Sequence, residues 1–197
     1  MLDTCHYVDV SIFYSCKSRN FKHCLETGHF NKEVDIMIGT VADEGLLSIA
    51  PYITKYQKWK DLKNSITKIG AKEWFNIANP ADITEVTKQN VYQVVEYYVG
   101  SNDNINEEHI QGLIDLYTDA SFLHSTYKLT GYLIKQNISV YQYIVTYEGK
   151  SSFASVWFGL PNPIGVCHGD DLIYLWNFAD LANITLDKVW ISIQYQN

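Results

Sequence analysis

The chain has 197 residues, a net charge of −7 and nearly half of its residues apolar or aromatic, enough for one domain with a packed core. That acidic balance excludes a nucleic-acid partner, which requires a basic face for its phosphates, and no apolar run approaches the roughly 20 residues of a membrane-spanning helix. The N-terminal MLDTCHYVDV has neither a basic n-region nor an apolar h-region and does not read as a secretory signal. Cys5, Cys16 and Cys24 lie near His6, His23 and His29, which invites a metal site. Their spacing lacks the close pairing of zinc ligands, so no metal and no cofactor is expected.

Val34-Asp-Ile-Met-Ile38 alternates and is stopped by Gly39, which predicts a short strand whose carboxyl end delivers the turn Gly39-Thr-Val-Ala-Asp-Glu-Gly45. Residues 52–78 are mixed in pattern, with Trp59, Trp74 and Phe75 as core anchors, and Asn79-Pro80 is a break. Asp82 with Glu85 resembles a capping box, opening a helix with Val91, Val94, Val95 and Tyr98 on its apolar face. After the loop Gly100-Ser-Asn-Asp-Asn104, Glu107 and Glu108 favour a second helix carrying Ile110, Leu113, Ile114 and Tyr117. Leu123, Tyr127 and Ile134 suggest a third apolar stripe, interrupted at Thr130 and Gly131.

Val140 to Tyr147, rich in β-branched and aromatic residues, is the strongest strand, its tyrosines expected as core or cross-strand partners. Gly149-Lys-Ser151 is not a phosphate loop, because the first glycine such a loop needs would fall at Ile144. Residues 151–167, with Gly159 and two prolines, read as a loop, and Leu172 to Phe178 as a helix start. Two strands around a helical block predict an α/β arrangement with parallel strands, and reactive groups gather at the carboxyl ends of such strands.

Two segments lie at those ends: Glu44 in its glycine-flanked turn, and His168 in Gly165-Val-Cys-His-Gly-Asp-Asp171. An activated serine needs an imidazole to take its proton and an acid to orient that imidazole. In α/β-hydrolases the chain order is Ser, then Asp or Glu, then His, and Glu44 and His168 fit the last two places. No Gly-x-Ser-x-Gly occurs in the 197 residues.

Phe30 to Leu47 resembles the acid-bearing segment of type-B carboxylesterases, the cholinesterase-like family. Thr118-Asp-Ala-Ser-Phe122 resembles a helix start in that family. Ser139 to Lys150 looks most like insect members of the juvenile hormone esterase type, and Gly165 to Tyr174 is similar to the family's histidine segment. The resemblance runs in order over residues 20–178, whereas 1–20 and 179–197 depart from it. It implies the C-terminal part of an α/β-hydrolase fold, an incomplete sheet with flanking helices forming a single partial domain. It further implies Glu44 as the orienting acid and His168 as general base and then general acid, acting on a small-molecule carboxylic ester in a full-length enzyme.

Without nucleophile or oxyanion loop, the isolated chain is expected to be an inactive, incomplete or mis-bounded product. The alternative is a non-catalytic cholinesterase-like adhesion or binding protein, against which the retention of Glu44 and His168 counts. An unpaired edge on the first strand invites self-association. Asp43, Asp170 and Asp171 are candidate extra acids, the last two better explained by a helix N-terminus. Cys167 adjoins His168, but neighbours in sequence point apart. Trp157 and Phe158 can line an acyl pocket, with core packing the preferred role. The sequons Asn137-Ile-Ser and Asn183-Ile-Thr are candidate glycosylation sites that hint at a secreted ancestor. Localisation stays open, since the resemblance implies secretion and the N-terminus carries no signal.

Overall fold

The computed structural model describes residues 21–53, 56–160 and 165–175. Within them, strand β1 (Ile36–Val41) pairs in parallel with β2 (Val140–Val145), Ile36 opposite Val140 and Val41 opposite Val145. Helix α1 (Phe21–Thr27) precedes the sheet in sequence. A helical block separates its two strands: α2 (Leu46–Ile53), α3 (Tyr56–Glu73), α4 (Glu85–Val99), α5 (Ile110–Tyr117) and α6 (His124–Lys135). Two short helices, α7 (Phe153–Phe158) and α8 (Asp170–Leu175), follow. The parallel α/β arrangement expected from the sequence is present.

The strand does not stop at Gly39 but runs through it to Val41. The glycine is tolerated because the Tyr143 ring lies across it, in the space a Cβ would need. The mixed stretch after residue 52 contains the 18-residue α3. It buries Trp59, Leu62 and Ile66 at helical spacing, and Trp74 is buried just beyond its end, whereas the expected anchor Phe75 is exposed.

Helix α4 starts later than expected. Asp82 ends a 3₁₀ turn capped by Asn79, and Thr84 is the N-cap, its hydroxyl accepting the Thr87 N–H. The hydroxyl can satisfy an amide two to three residues on, which makes it a competent substitute for the expected aspartate. Both apolar faces of α4 and α5 are as expected: Val91, Val95, Leu113, Ile114 and Tyr117 are buried in one core with α2 and α3.

The third stripe is different. Thr118–Leu123 is a π-helical turn joining α5 to α6 without a break, so Thr118-Asp-Ala-Ser-Phe122 is not a helix start. A wider turn changes the rotation per residue and re-aims the face that follows. In α6 the buried residues are Ser125, Leu129, Thr130 and Leu133, while Tyr127 is 78% and Ile134 57% exposed. Leu129 and Leu133 belong to a second cluster with Cys24, Leu25, Phe30 and Ile138, against which Ile36, Ile38 and Val140 pack. One continuous helical rod therefore serves two cores.

That second cluster covers one face of the sheet. On the other, Met37 and Tyr141 stand opposite each other and both are exposed, so Tyr141 is not a core residue. β2 ends before Tyr147, whose ring instead meets Tyr174 edge-on at 5.7 Å.

Two further expectations are corrected. Residues 151–167 are not wholly loop, because Ser152 accepts the Ala154 N–H and opens α7, which Gly159 closes in the left-handed conformation at φ 67°. Trp157 does not pack in the core; it is half exposed and stacks on Phe153 at 4.5 Å, while Phe158 is partly buried. Helix α8 begins at Asp170, two residues before the expected start. The remainder of that expected helix, the second sequon at Asn183, and Cys5, His6 and Cys16 lie outside the described residues.

Candidate active site

β1 leads through Ala42 and Asp43 into the turn that carries Glu44, and α2 begins two residues later. Gly45 is required there by proximity: a Cβ would run into the Ile114 carbonyl of α5, and the Gly45 N–H donates to Thr118 Oγ1 at 2.9 Å. The acid turn is thereby pinned to the start of the π-helical turn. Glu44 is only 5% exposed, and both of its oxygens are used. Oε1 accepts the Val41 N–H at 3.0 Å, and Oε2 accepts from His168 Nδ1 at 2.6 Å.

His168 sits in the turn before α8. Gly169 takes φ 87°, a left-handed conformation that glycine adopts without strain. Asp170 closes the turn: Oδ2 accepts the Cys167 N–H at 2.8 Å, and Oδ1 accepts the Phe153 N–H of α7 at 2.7 Å. The expected placement of Asp170 and Asp171 in the first turn of a helix is correct. Asp170 nonetheless does more than favour a dipole, since it ties the histidine turn to a second helix. Burial raises both carboxyl groups above the usual carboxylate range.

The structure thus brings together residues 124 positions apart. A carboxylate acceptor fixes the neutral imidazole with its proton on Nδ1, leaving Nε2 as the basic nitrogen. The hydrogen bond to Glu44 holds His168 above the ordinary histidine range, with the charges of Glu44, Asp171 and Asp170 adding to it and burial opposing it. The shift is upward, so the pair's contribution to stability is complete below the unfolded histidine value of about 6.5 and is lost as pH rises through the folded value. The His168 side chain remains 37% exposed, which leaves it open to a reacting group. The Phe122 ring packs against the imidazole at 5.0 Å, tilted by 42°.

Cys167 takes no part in this chemistry. It is fully buried, and burial together with the Asp170 charge pushes its thiol up to about 12, so it carries no thiolate. Cys24 is disulfide-bonded, and among the described residues no group of three or more His, Cys, Asp or Glu is placed to hold a metal ion. No described helix is long and apolar enough to cross a membrane.

Asn137, the first sequon, is exposed in the turn after α6 at φ 59°. No local sequence signal assigns Thr118, Phe122 and Gly45 their contacts around the pair. The run 118–122 was conspicuous, but only the fold shows that its ends reach the acid turn and the imidazole.

The carboxylesterase family profile matches residues 14–192 of this chain. Juvenile hormone esterase of Tribolium castaneum is 28% identical over 174 residues, which cover 83% of this chain and 29% of that protein. The crystal structure of juvenile hormone esterase from Manduca sexta, with OTFP covalently attached, matches with a TM-score of 0.54 at 21% identity. That match covers 79% of this chain and 27% of the other, and it identifies the fold as part of an α/β-hydrolase. The chain therefore spans less than a third of the length of these relatives.

Proposed function

The chain belongs to the carboxylesterase family, and from that premise we propose that Glu44 and His168 are the acid and the histidine of a serine ester-hydrolysing centre. The observation that carries this reading is the 2.6 Å bond from Nδ1 to a buried carboxylate whose other oxygen is already held by the backbone. His168 Nε2 takes the proton of a serine hydroxyl as its oxygen attacks the ester carbonyl, and Glu44 stabilises the imidazolium so formed. The imidazolium then protonates the departing alkoxide, and the cycle repeats with water to release the acid. The substrate is a small-molecule carboxylic ester.

These 197 residues hold no Gly-x-Ser-x-Gly, so the serine and the oxyanion donors of the centre come from a separate segment. A fluorophosphonate probe is expected to leave the 197-residue chain unlabelled. It is expected to label a chimera in which residues 14–192 replace the matching part of the Tribolium castaneum enzyme. Labelling of the isolated chain at a serine would overturn this division of labour. A folded chimera that resists the probe would favour a non-catalytic binding role.

Asn137 is proposed as a glycosylation site, because its side chain is exposed on a turn and Ser139 beside it is also exposed. Expression through a secretory pathway should give a chain that gains mobility on endoglycosidase treatment. Asn137→Gln should run at the deglycosylated position apart from any contribution of Asn183; an Asn137→Gln chain with an unaltered glycan pattern would exclude the site. Self-association of the isolated chain is proposed through the sheet.

A further inference from the structure

Asp43, immediately before the acid, grips the strand of chain immediately before the histidine. Its N–H donates to the Val166 carbonyl at 3.1 Å, and its Oδ2 accepts the Val166 N–H at 2.9 Å. It forms a parallel bridge with Cys167. The other oxygen, Oδ1, accepts from Gln111 Nε2 of α5 at 3.0 Å, and the same amide reaches Asp115 at 2.9 Å. The carboxylate is therefore anchored from behind by a rigid helix and reaches forward to a loop.

The fit is close on the loop side. Gly165 has φ 112°, and a Cβ there would stand 2.5 Å from Asp43 Oδ2 and 2.8 Å from its Cγ. Only a glycine lets the loop backbone come within reach of that carboxylate. Two consecutive residues of one loop thus hold alternate residues of the other: Asp43 holds Val166, and Glu44 holds His168. Asp170 accepts the Cys167 N–H, so the two residues just before the histidine are each held by a carboxylate, Val166 by Asp43 and Cys167 by Asp170.

We propose that Asp43, braced by Gln111, is a positioning residue that sets the register of the histidine loop against the acid turn and so determines the Glu44–His168 contact. This rests on the reading of Glu44 and His168 as a working pair. Its mechanism is geometric. Catalytic groups must be held within a fraction of an ångström of their productive arrangement by partners that are themselves fixed, and a hydrogen bond weakens steeply once distance or angle is lost. With the carboxylate removed, the backbone bond from Asp43 N–H remains, but the Val166 N–H loses its acceptor and the loop its link through Gln111 to α5.

The test is the exchange of the histidine C2 proton for deuterium, read by mass spectrometry on the peptide containing His168 across a pH series. It reports the proton affinity of this one imidazole at low protein concentration. In the unaltered chain His168 should titrate above the ordinary histidine range. In Asp43→Ala its proton affinity should fall by about threefold or more as the bond to Glu44 lengthens, with Gln111→Ala moving it part of the way in the same direction. Asp43→Asn, which keeps the shape and one acceptor oxygen, should lie between.

A thermal melt accompanies each variant. If the melting temperature falls while His168 titrates unchanged in all three, Asp43 is a structural residue only and the proposal is overturned. Should Asp43→Ala fail to fold, Gln111→Ala and Asp43→Asn still decide it, since Gln111 is largely at the surface. An unaltered chain in which His168 titrates at the ordinary value would instead sink the Glu44–His168 pair itself, a distinct outcome.

Discussion

His168→Ala, placed in a chimera that supplies the serine segment of the Tribolium castaneum relative, is expected to lower kcat for a simple aryl ester by about 10³- to 10⁴-fold or more. The imidazole is the only group in this arrangement that can accept the serine proton and return it to the leaving alkoxide. Glu44→Gln should cost about 10²- to 10⁴-fold while leaving ester binding nearly unchanged. The amide can still accept the Val41 N–H through its oxygen, but it then presents an NH₂ to Nδ1. That favours the wrong tautomer, with the proton on Nε2, and removes the charge that stabilises the imidazolium.

The pH profile separates these roles. Only neutral His168 acts as a base, and its affinity for a proton is raised chiefly by the hydrogen bond to Glu44. The ascending limb of kcat/KM should therefore lie above the ordinary histidine value of about 6.5. In Glu44→Gln it should move to lower pH even as the rate falls. A His168→Ala chimera within tenfold of its parent would remove His168 from the mechanism.

The second large effect concerns the isolated 197-residue chain. Parallel sheets are found almost only with both faces covered. Here one face is packed against α1 and α6, while Met37 (59% exposed) and Tyr141 (46% exposed) lie side by side on the other. The sheet has two strands among the described residues, and an exposed apolar pair on its outer face invites a covering partner. Sedimentation velocity should show species larger than a monomer that grow with concentration. Met37→Lys combined with Tyr141→Lys should return most of the protein to monomer, because charge on such a face opposes association. A sharp, reversible two-state melt of a monomeric unaltered chain would refute this expectation.

The legible parts of the site were those in which chemistry is confined to a short run of residues. Glu44 and His168 stood out because each lies in a glycine-flanked turn and their order in the chain matches a known constellation. The α4 and α5 faces were legible because their apolar residues recur at regular helical spacing over two turns or more. α3 has the same recurrence at Trp59, Leu62 and Ile66, but the lysines and other polar residues between them dilute it. α6 departs from its sequence pattern for a different cause. The pattern of Leu123, Tyr127 and Ile134 assumes a constant rotation per residue, and the π-helical turn just upstream breaks that assumption. α7 is six residues long, too short to show periodicity, although Ser152 and Gly159 mark its two ends. The clamp of Asp43, Gln111 and Gly165 joins three distant segments, and no local pattern encodes it.

The long separation of the paired elements has a consequence for how the chain is made. Ile36 is paired with Val140, and Glu44 with a histidine 124 residues further on. At ribosomal rates of about 5–20 residues per second, roughly 6–25 s pass between synthesis of the acid and synthesis of its histidine. Throughout that interval Glu44 lacks its histidine, and for most of it β1 lacks β2. The helices between them, held together by contacts nearer in sequence, can assemble meanwhile and form the surface on which β2 later docks. The pair thus cannot close until the histidine segment has been made, however early the acid turn and the helices after it are in place.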